Sequence, residues 1–259
     1  MEIALKSDRS DFNPPARAGA TPINPCAACG VRDLSICGVL DGEELKRMND
    51  LVTEARLSPG QAVFYEADPA SYLFVIVEGC IRLYKLLLDG RRQITGFLYP
   101  SDFLGLAMQE RYAYTAEAVS PARLCRFDRG RLEALLEEFP HLEKRLLGIA
   151  SNELASAQDQ MLLLGRKTAD EKVMSFLYLL SRRAYMKRQP ADVIQLPMSR
   201  YDIADHLGLT TETVSRCFTR LRKQGVIGFD DPHQVAILDW MRCADLAGVD
   251  EGMAPNTAA

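Results

Sequence analysis

Hydrophobic and polar positions change period along this chain, and the changes divide it. From Ala55 to Phe127 apolar residues come in short runs rich in strand formers, chiefly Tyr72 to Val77, Ile81 to Leu88 and Gln93 to Tyr99. Turn signals separate them at Pro59-Gly60, Asp68-Pro69, Glu78-Gly79, Asp89-Gly90 and Pro100-Ser101-Asp102. Short strands at this regular spacing predict a small antiparallel roll, with Asp89-Gly90 as its clearest hairpin turn. Helical spacing precedes the roll at Leu45, Met48 and Leu51 and returns after it from Arg131 to Glu138. A long helix is then predicted from about His141 to Leu164, where Leu142, Leu146, Ile149, Glu153, Ser156, Gln160 and Leu164 recur every three or four residues. Packing within the chain explains part of that stripe, but it is too long for one small core, so a parallel helix pair with a second copy is expected. Thr168 and Glu171 open a further helix with a capping box.

Ser199 to Lys223 has the tightest pattern. Ser199 with Asp202 caps a helix carrying Ile203, Ala204 and Leu207 inward; Gly208 ends it, and Leu209 is a hinge. Thr210 caps a second helix with Val214, Phe218 and Leu221 inward. Its other face carries Thr211, Glu212, Ser215, Arg216 and Thr219, a mixture that suits base edges in a major groove, and its end is basic at Arg220, Arg222 and Lys223. Val226 to Phe229 and Gln234 to Leu238 flank Asp230-Asp231-Pro232 as a β-hairpin wing. The fold class is therefore α+β: an antiparallel β-roll, a long dimerisation helix and a winged helix-turn-helix. Expected boundaries are a disordered N-terminus and cysteine cluster over 1–40, the roll over 41–140, the dimer helix over 141–165, the DNA-binding domain over 166–247 and a flexible tail over 248–259.

Charge sharpens this division. The net charge of −4 argues against a basic coat for nucleic acid. Between Arg166 and Lys223, however, 12 basic and 6 acidic residues give +6, leaving −10 elsewhere. A basic DNA-binding half joined to an acidic regulatory half fits. The chain shows no membrane-spanning run and no signal peptide, so a cytoplasmic protein is expected.

In a reducing cytoplasm the 7 cysteines should be free thiols unless they bind something. Cys26, Cys29 and Cys37 fall within twelve residues, a dense ligand signal. Thiolates bind zinc or iron–sulfur clusters, and both usually need four ligands. Cys80 is one candidate for the fourth but reads as packing, as do Cys217 and Cys243. No Ser/His/Asp set or Walker loop appears, so no enzyme is expected.

The order of roll, long helix and winged helix-turn-helix, with LTTETVSR, QITGF and QDQMLLL before RKTADEK, resembles the CRP/FNR superfamily of bacterial transcription regulators, and within it the FNR branch. The resemblance runs from about Cys26 to Ala247. It implies a homodimer that binds an inverted-repeat promoter site and recruits RNA polymerase. Glu212, Ser215 and Arg216 match the FNR-type E-x-x-S-R motif, which implies a TTGAT half-site. Asp89, Gly90 and Arg91 match a loop that touches polymerase. Cys125, in PARLCRFD, matches the internal cluster cysteine, making Cys26, Cys29, Cys37 and Cys125 the implied ligands of an oxygen-labile 4Fe-4S cluster; zinc or a dithiol switch is the alternative. Seven residues separate Cys29 from Cys37, more than in the best-known FNR pattern. Some relatives carry an acidic residue at the place of Ala157, so this dimer is expected to depend less on the cluster. The phosphate cradle of cyclic-nucleotide regulators is missing from FLGLAMQERYAYTAEAVS, and no histidine lies in the roll to ligate haem.

Overall fold

The computed structural model describes residues 26, 28–107, 110–187 and 191–249. Residues 1–25 of the segment expected as disordered N-terminus and cysteine cluster, and all but the first two residues of the expected tail, lie outside the described residues. Two 3₁₀ turns, Arg32–Leu34 and Ile36–Val39, carry the cysteine segment into helix α1 (Gly42–Leu51). The roll follows as β1 (Val52–Leu57), β2 (Ala62–Phe64), β3 (Tyr72–Glu78), β4 (Ile81–Leu86), β5 (Arg92–Leu98), β6 (Phe103–Leu104), β7 (Thr115–Ala118) and β8 (Ala122–Asp128). Its strands form two antiparallel sheets, ordered β1-β8-β3-β6 and β2-β7-β4-β5. The inner faces meet over Leu57, Phe64, Phe74, Ile76, Ile81 and Leu124. Phe64 stacks on Tyr112 with ring centroids 3.6 Å apart.

Helices α2 (Arg129–Glu138) and α3 (Pro140–Arg166) come next, Pro140 standing in the first turn of α3 where its missing N–H loses no bond. Helix α4 (Ala169–Met186) has the expected Thr168–Glu171 capping box. Then come β9 (Val193–Gln195), α5 (Arg200–Leu207), α6 (Thr211–Lys223), β10 (Ile227–Gly228), β11 (Gln234–Ile237) and α7 (Trp240–Ala247). The wing is a three-stranded antiparallel sheet, β10-β11-β9, and β9 was absent from the sequence expectation. β4 is shorter than expected, ending at Leu86, because Leu87 N–H already bonds the Arg91 carbonyl to close the turn. Among the described residues no helix is long and apolar enough to cross a membrane.

Three findings change the sequence picture. The first is that the roll and the helix-turn-helix unit share a core: Tyr84, Ile94 and Phe97 of the roll pack with Phe176, Leu177, Ile203 and Leu207. The second concerns the α3 stripe. Leu142 is fully buried, and it packs with Leu146, Ile149 and the cysteine segment, while Leu164 packs against the DNA-binding half. Both ends of the stripe are thus used within the chain. The large apolar residues that α3 leaves exposed are Leu147 (67% exposed), Leu154 (62%), Met161 (68%) and Leu162 (57%), and the first three fall seven positions apart. The third is His206 of α5, which joins the two halves. It is buried between Phe97 and Phe176, with Nδ1 3.2 Å from the Ile94 carbonyl oxygen.

Candidate functional site

Helix α6 presents its outer face as the sequence pattern requires. Thr210 Oγ1 accepts from Thr213 N–H and caps the helix, and Val214, Cys217, Phe218 and Leu221 are buried beneath it. Thr211, Glu212, Ser215, Arg216 and Thr219 are all exposed. Glu212, Ser215, Arg216, Thr219, Arg220 and Lys223 line one shallow concavity. Ser215 Oγ donates to the Thr211 carbonyl and Thr219 Oγ1 to the Ser215 carbonyl, each at 2.9 Å, so both hydroxyls lie close to the helix and leave a low surface. Arg216 Nη2 pairs with Glu212 Oε1 at 2.5 Å. The pair is three-quarters exposed, so it presets the two side chains with little energetic commitment. Arg220 is less free than its sequence position suggests, because it bonds Asp170 of α4 at 2.6 Å.

Gly208 makes the tight turn between the helices possible. It has φ +62°, a left-handed conformation that favours glycine, and an added Cβ would meet Leu164 of α3 at 3.3 Å. The Ser199–Asp202 capping box is present. Sequence reasoning missed the stack beneath the wing, where the Arg200 guanidinium lies 3.4 Å from the Phe218 ring centroid and Arg222 lies 4.9 Å from that of Phe229.

The four singled-out cysteines come from two parts of the chain. Cys26, Cys29 and Cys37 sit in the turns before α1, and Cys125 lies on β8 beside Val75 and Glu54. Alternation along β8 sends Leu124 into the roll and Cys125 to its outer face. There Cys26, Cys37 and Cys125 share a core with Ile36, Leu73 and Phe127. Burial, then the neighbouring thiols, pushes the Cys26 thiol up to about 11 and that of Cys125 to about 12. Cys37 rises to about 12 for the same reasons, against a hydrogen bond from Ser35. Among the described residues no three Cys, His, Asp or Glu side chains already meet as a metal site, so the thiols are neighbours rather than a closed ligand set. As a donor set they fit a thiolate-bound centre: four sulfurs, no histidine, and a segment of short turns on one side. Gly38 permits the close fold of that segment, since a Cβ there would lie 2.6 Å from the Asp33 carbonyl oxygen. Cys80 lies in the other core, beside Tyr99, and Cys217 and Cys243 are buried in the DNA-binding half.

Comparison with known proteins bears on both regions. Residues 54–139 match the cyclic nucleotide-binding domain, and residues 171–246 match the Crp-like helix-turn-helix domain. The nitrogen fixation regulation protein FixK of Bradyrhizobium diazoefficiens is 44% identical over 202 residues, 78% of this chain and 85% of that protein. The transcriptional activator protein FnrL of Cereibacter sphaeroides is 36% identical over 234 residues, 89% of this chain and 94% of that one. The structure of FixK2 from Bradyrhizobium japonicum superposes with a TM-score of 0.71 at 39% identity, covering 75% of this chain and 96% of that one. The chain belongs to the Crp/Fnr family of transcription regulators. As in these relatives, a DNA-binding regulator and not an enzyme is what the α5–α6 unit builds. In this Crp/Fnr regulator Asp89, Gly90 and Arg91 form the exposed tip of the β4–β5 hairpin, with Arg91 N–H and Nε both donating to the Asp89 carboxylate. The flanking Leu86 and Leu87 are more than half exposed and Leu88 is fully exposed, an apolar tip that the strand pattern concealed.

Proposed function

We propose that this regulator is an oxygen-responsive activator of the Fnr type, holding a 4Fe-4S cluster through Cys26, Cys29, Cys37 and Cys125 and reading a TTGAT-type inverted repeat as a homodimer. One observation carries the cluster reading: Cys26, Cys37 and Cys125, from two parts of the chain, share a core on the outer face of the roll, with Cys29 in the same turns and no histidine among them. When bound, a cluster of this kind supplies an oxygen-labile link between the two segments. The chain's own residues connect that place to α3. Ile36 and Leu40 pack with Leu142, and Arg145 of α3 donates to the carbonyls of Leu34 and Ser35. Fixing the cysteine turns against β8 therefore steadies the start of the long helix.

The heptad recurrence of exposed Leu147, Leu154 and Met161 supports pairing of α3 with a second copy. At the DNA, Arg216 can give a bidentate bond to guanine, Glu212 can accept from a cytosine amino group, and Ser215 can sit against a thymine methyl. Activation is supported by the names of relatives such as FnrL, with the apolar-flanked Asp89–Arg91 tip as the surface for polymerase. The lack of a phosphate cradle in the sequence FLGLAMQERYAYTAEAVS supports control by a ligand other than a cyclic nucleotide.

The test is an anaerobic iron and acid-labile sulfide assay followed by air exposure. About four irons per chain, visible colour that bleaches in air, and DNA binding that falls in parallel are expected. Colourless zinc-containing protein, or metal-free protein with air-stable DNA binding, would remove the oxygen-sensing reading.

A further inference from the structure

Asp202 of α5 does more than cap its helix. Its Oδ2 takes the Ser199 N–H at 3.2 Å and Oγ–H at 2.7 Å, while its Oδ1 faces the roll. There it receives Arg82 Nη1 at 2.8 Å and Arg92 Nη2 at 2.7 Å, from β4 and β5. Arg92 Nε also donates to Asp205 at 2.8 Å. Gln93 Nε2 donates to the carbonyls of Asp205 (2.7 Å) and His206 (3.3 Å), near the end of α5. The Asp202 side chain is only 6% exposed, with the two arginines at 18% and 16%. An N3 carboxylate needed only for capping would sit in water.

Buried ion pairs of this kind are weak stabilisers, because desolvation offsets most of their attraction. This network is also incomplete, with Arg82 Nε buried and without a partner among the described residues. A closely packed apolar contact would hold the two halves at least as firmly. What the charged contact adds is direction: a carboxylate received by two guanidiniums allows one orientation of α5. Since α5 and α6 are joined through Ile203, Leu207, Val214 and Phe218, that orientation is passed to the recognition helix. On the opposite side, Gln160 Nε2 of α3 donates to the His206 carbonyl at 2.9 Å.

We infer that Arg82, Arg92 and Gln93 of the roll are positioning residues for DNA recognition: they set the angle at which α6 is offered, and so the half-site spacing the dimer accepts. This rests on the dimeric, inverted-repeat reading above.

The test measures affinity of the full-length protein for three duplexes: the inverted repeat, the same repeat lengthened by two base pairs, and a single half-site. The insertion rotates one half-site by roughly 70° against the other. Wild type should lose affinity sharply on insertion. In R92Q and D205N the insertion penalty should shrink about tenfold, within the usual range of coupling between sites, with half-site affinity unchanged. Loss of folded protein alone would weaken all three duplexes equally. Should either variant fail to fold, Gln93→Ala, which removes only the Nε2 bonds, gives the same reading. An insertion penalty unchanged in all folded variants overturns the inference and leaves the dimer reading standing. A wild type that binds the half-site as well as the full repeat removes both.

Discussion

Arg145 Nη2 donates to the Leu34 carbonyl oxygen at 3.0 Å across 111 residues of sequence. With its second bond to Ser35, this guanidinium ties the cysteine turns to α3. Replacing Arg145 by Met keeps the aliphatic stem and deletes the bonds. Hydrogen bonds to a charged donor contribute about 1.5–3 kcal/mol each, less where water competes. Arg145→Met should keep its iron and weaken the dimer about tenfold by sedimentation equilibrium. A dimer as tight as wild type would mean that the cysteine segment reaches α3 by packing alone.

The cysteines divide into two groups by location. Cys125→Ser should remove most bound iron, whereas Cys80→Ala and Cys243→Ala should keep it, with some loss of stability because both are fully buried. Gly38→Ala is the finer probe. Its Cβ would press on the Asp33 carbonyl, so the turns must open and iron content should fall by more than half with all four ligands intact. Full iron in this variant would show that the turns are more adaptable than their packing implies.

Leu154 distinguishes the two stripes of α3. At 62% exposure, its replacement by Glu removes little from the fold of one chain but places a charge in the expected seam. Leu154→Glu should give a monomer with an unchanged far-ultraviolet spectrum and at least about tenfold weaker operator binding. Leu142→Ala should behave oppositely, costing about 2–5 kcal/mol of stability, because that side chain is fully buried.

Much of this architecture could be read in the sequence because local chemistry specifies it. Ser199 with Asp202, Thr168 with Glu171, Gly208 and the Asp89-Gly90 turn each determine a boundary from a few neighbouring residues. What could not be read depends on distant partners. The three residues of β9 become a strand only because β11 supplies the ladder. Arg82 and Arg92 look like ordinary polar positions on alternating strands until α5, more than 100 residues later, brings Asp202 to them. The α3 period is plain in the sequence, but neighbouring stripes on a helix differ by one position, and only the folded chain says that Leu142, Leu146, Ile149 and Leu164 are covered within it. Spacing alone marks Cys26, Cys29 and Cys37 as chain neighbours; that β8 brings Cys125 to the same core lies in the fold.

Arg216 should carry the base reading. Arg216→Ala should cost about 1–3 kcal/mol against the intact site and lose discrimination at the guanine of the half-site. It also frees Glu212, so a carboxylate without its partner faces the groove. Glu212→Gln in the same background should recover part of the lost affinity. Arg222→Ala, away from the base-reading motif, should weaken all sequences alike and flatten the salt dependence by about one ion. An Arg216→Ala protein that still ranks operators as wild type does would move recognition to other residues.

His206 makes the junction between roll and helix-turn-helix sensitive to acid. Burial pushes its imidazole down to about 4, a tendency only partly opposed by its bond to the Ile94 carbonyl. Phe97 and Phe176 flank the ring, Asp205 is its chain neighbour, and Arg92 holds both Asp205 and Asp202. For Asp202, burial acts upward, but Ser199, Arg82 and Arg92 outweigh it and keep the carboxyl below its ordinary value. Between the ordinary histidine value near 6.5 and about 4, the unfolded chain takes up a proton that the native chain refuses. Stability is therefore whole above about pH 6.5 and declines as pH falls toward 4, by on the order of 3 kcal/mol from this group. Asp202 adds its loss only at lower pH, through its depressed native value. Urea unfolding at pH 7.5 and pH 5 should show the decline in wild type and a shallower one in His206→Gln, which has no proton to gain. Parallel declines in the two proteins would assign the acid sensitivity to the carboxylates instead.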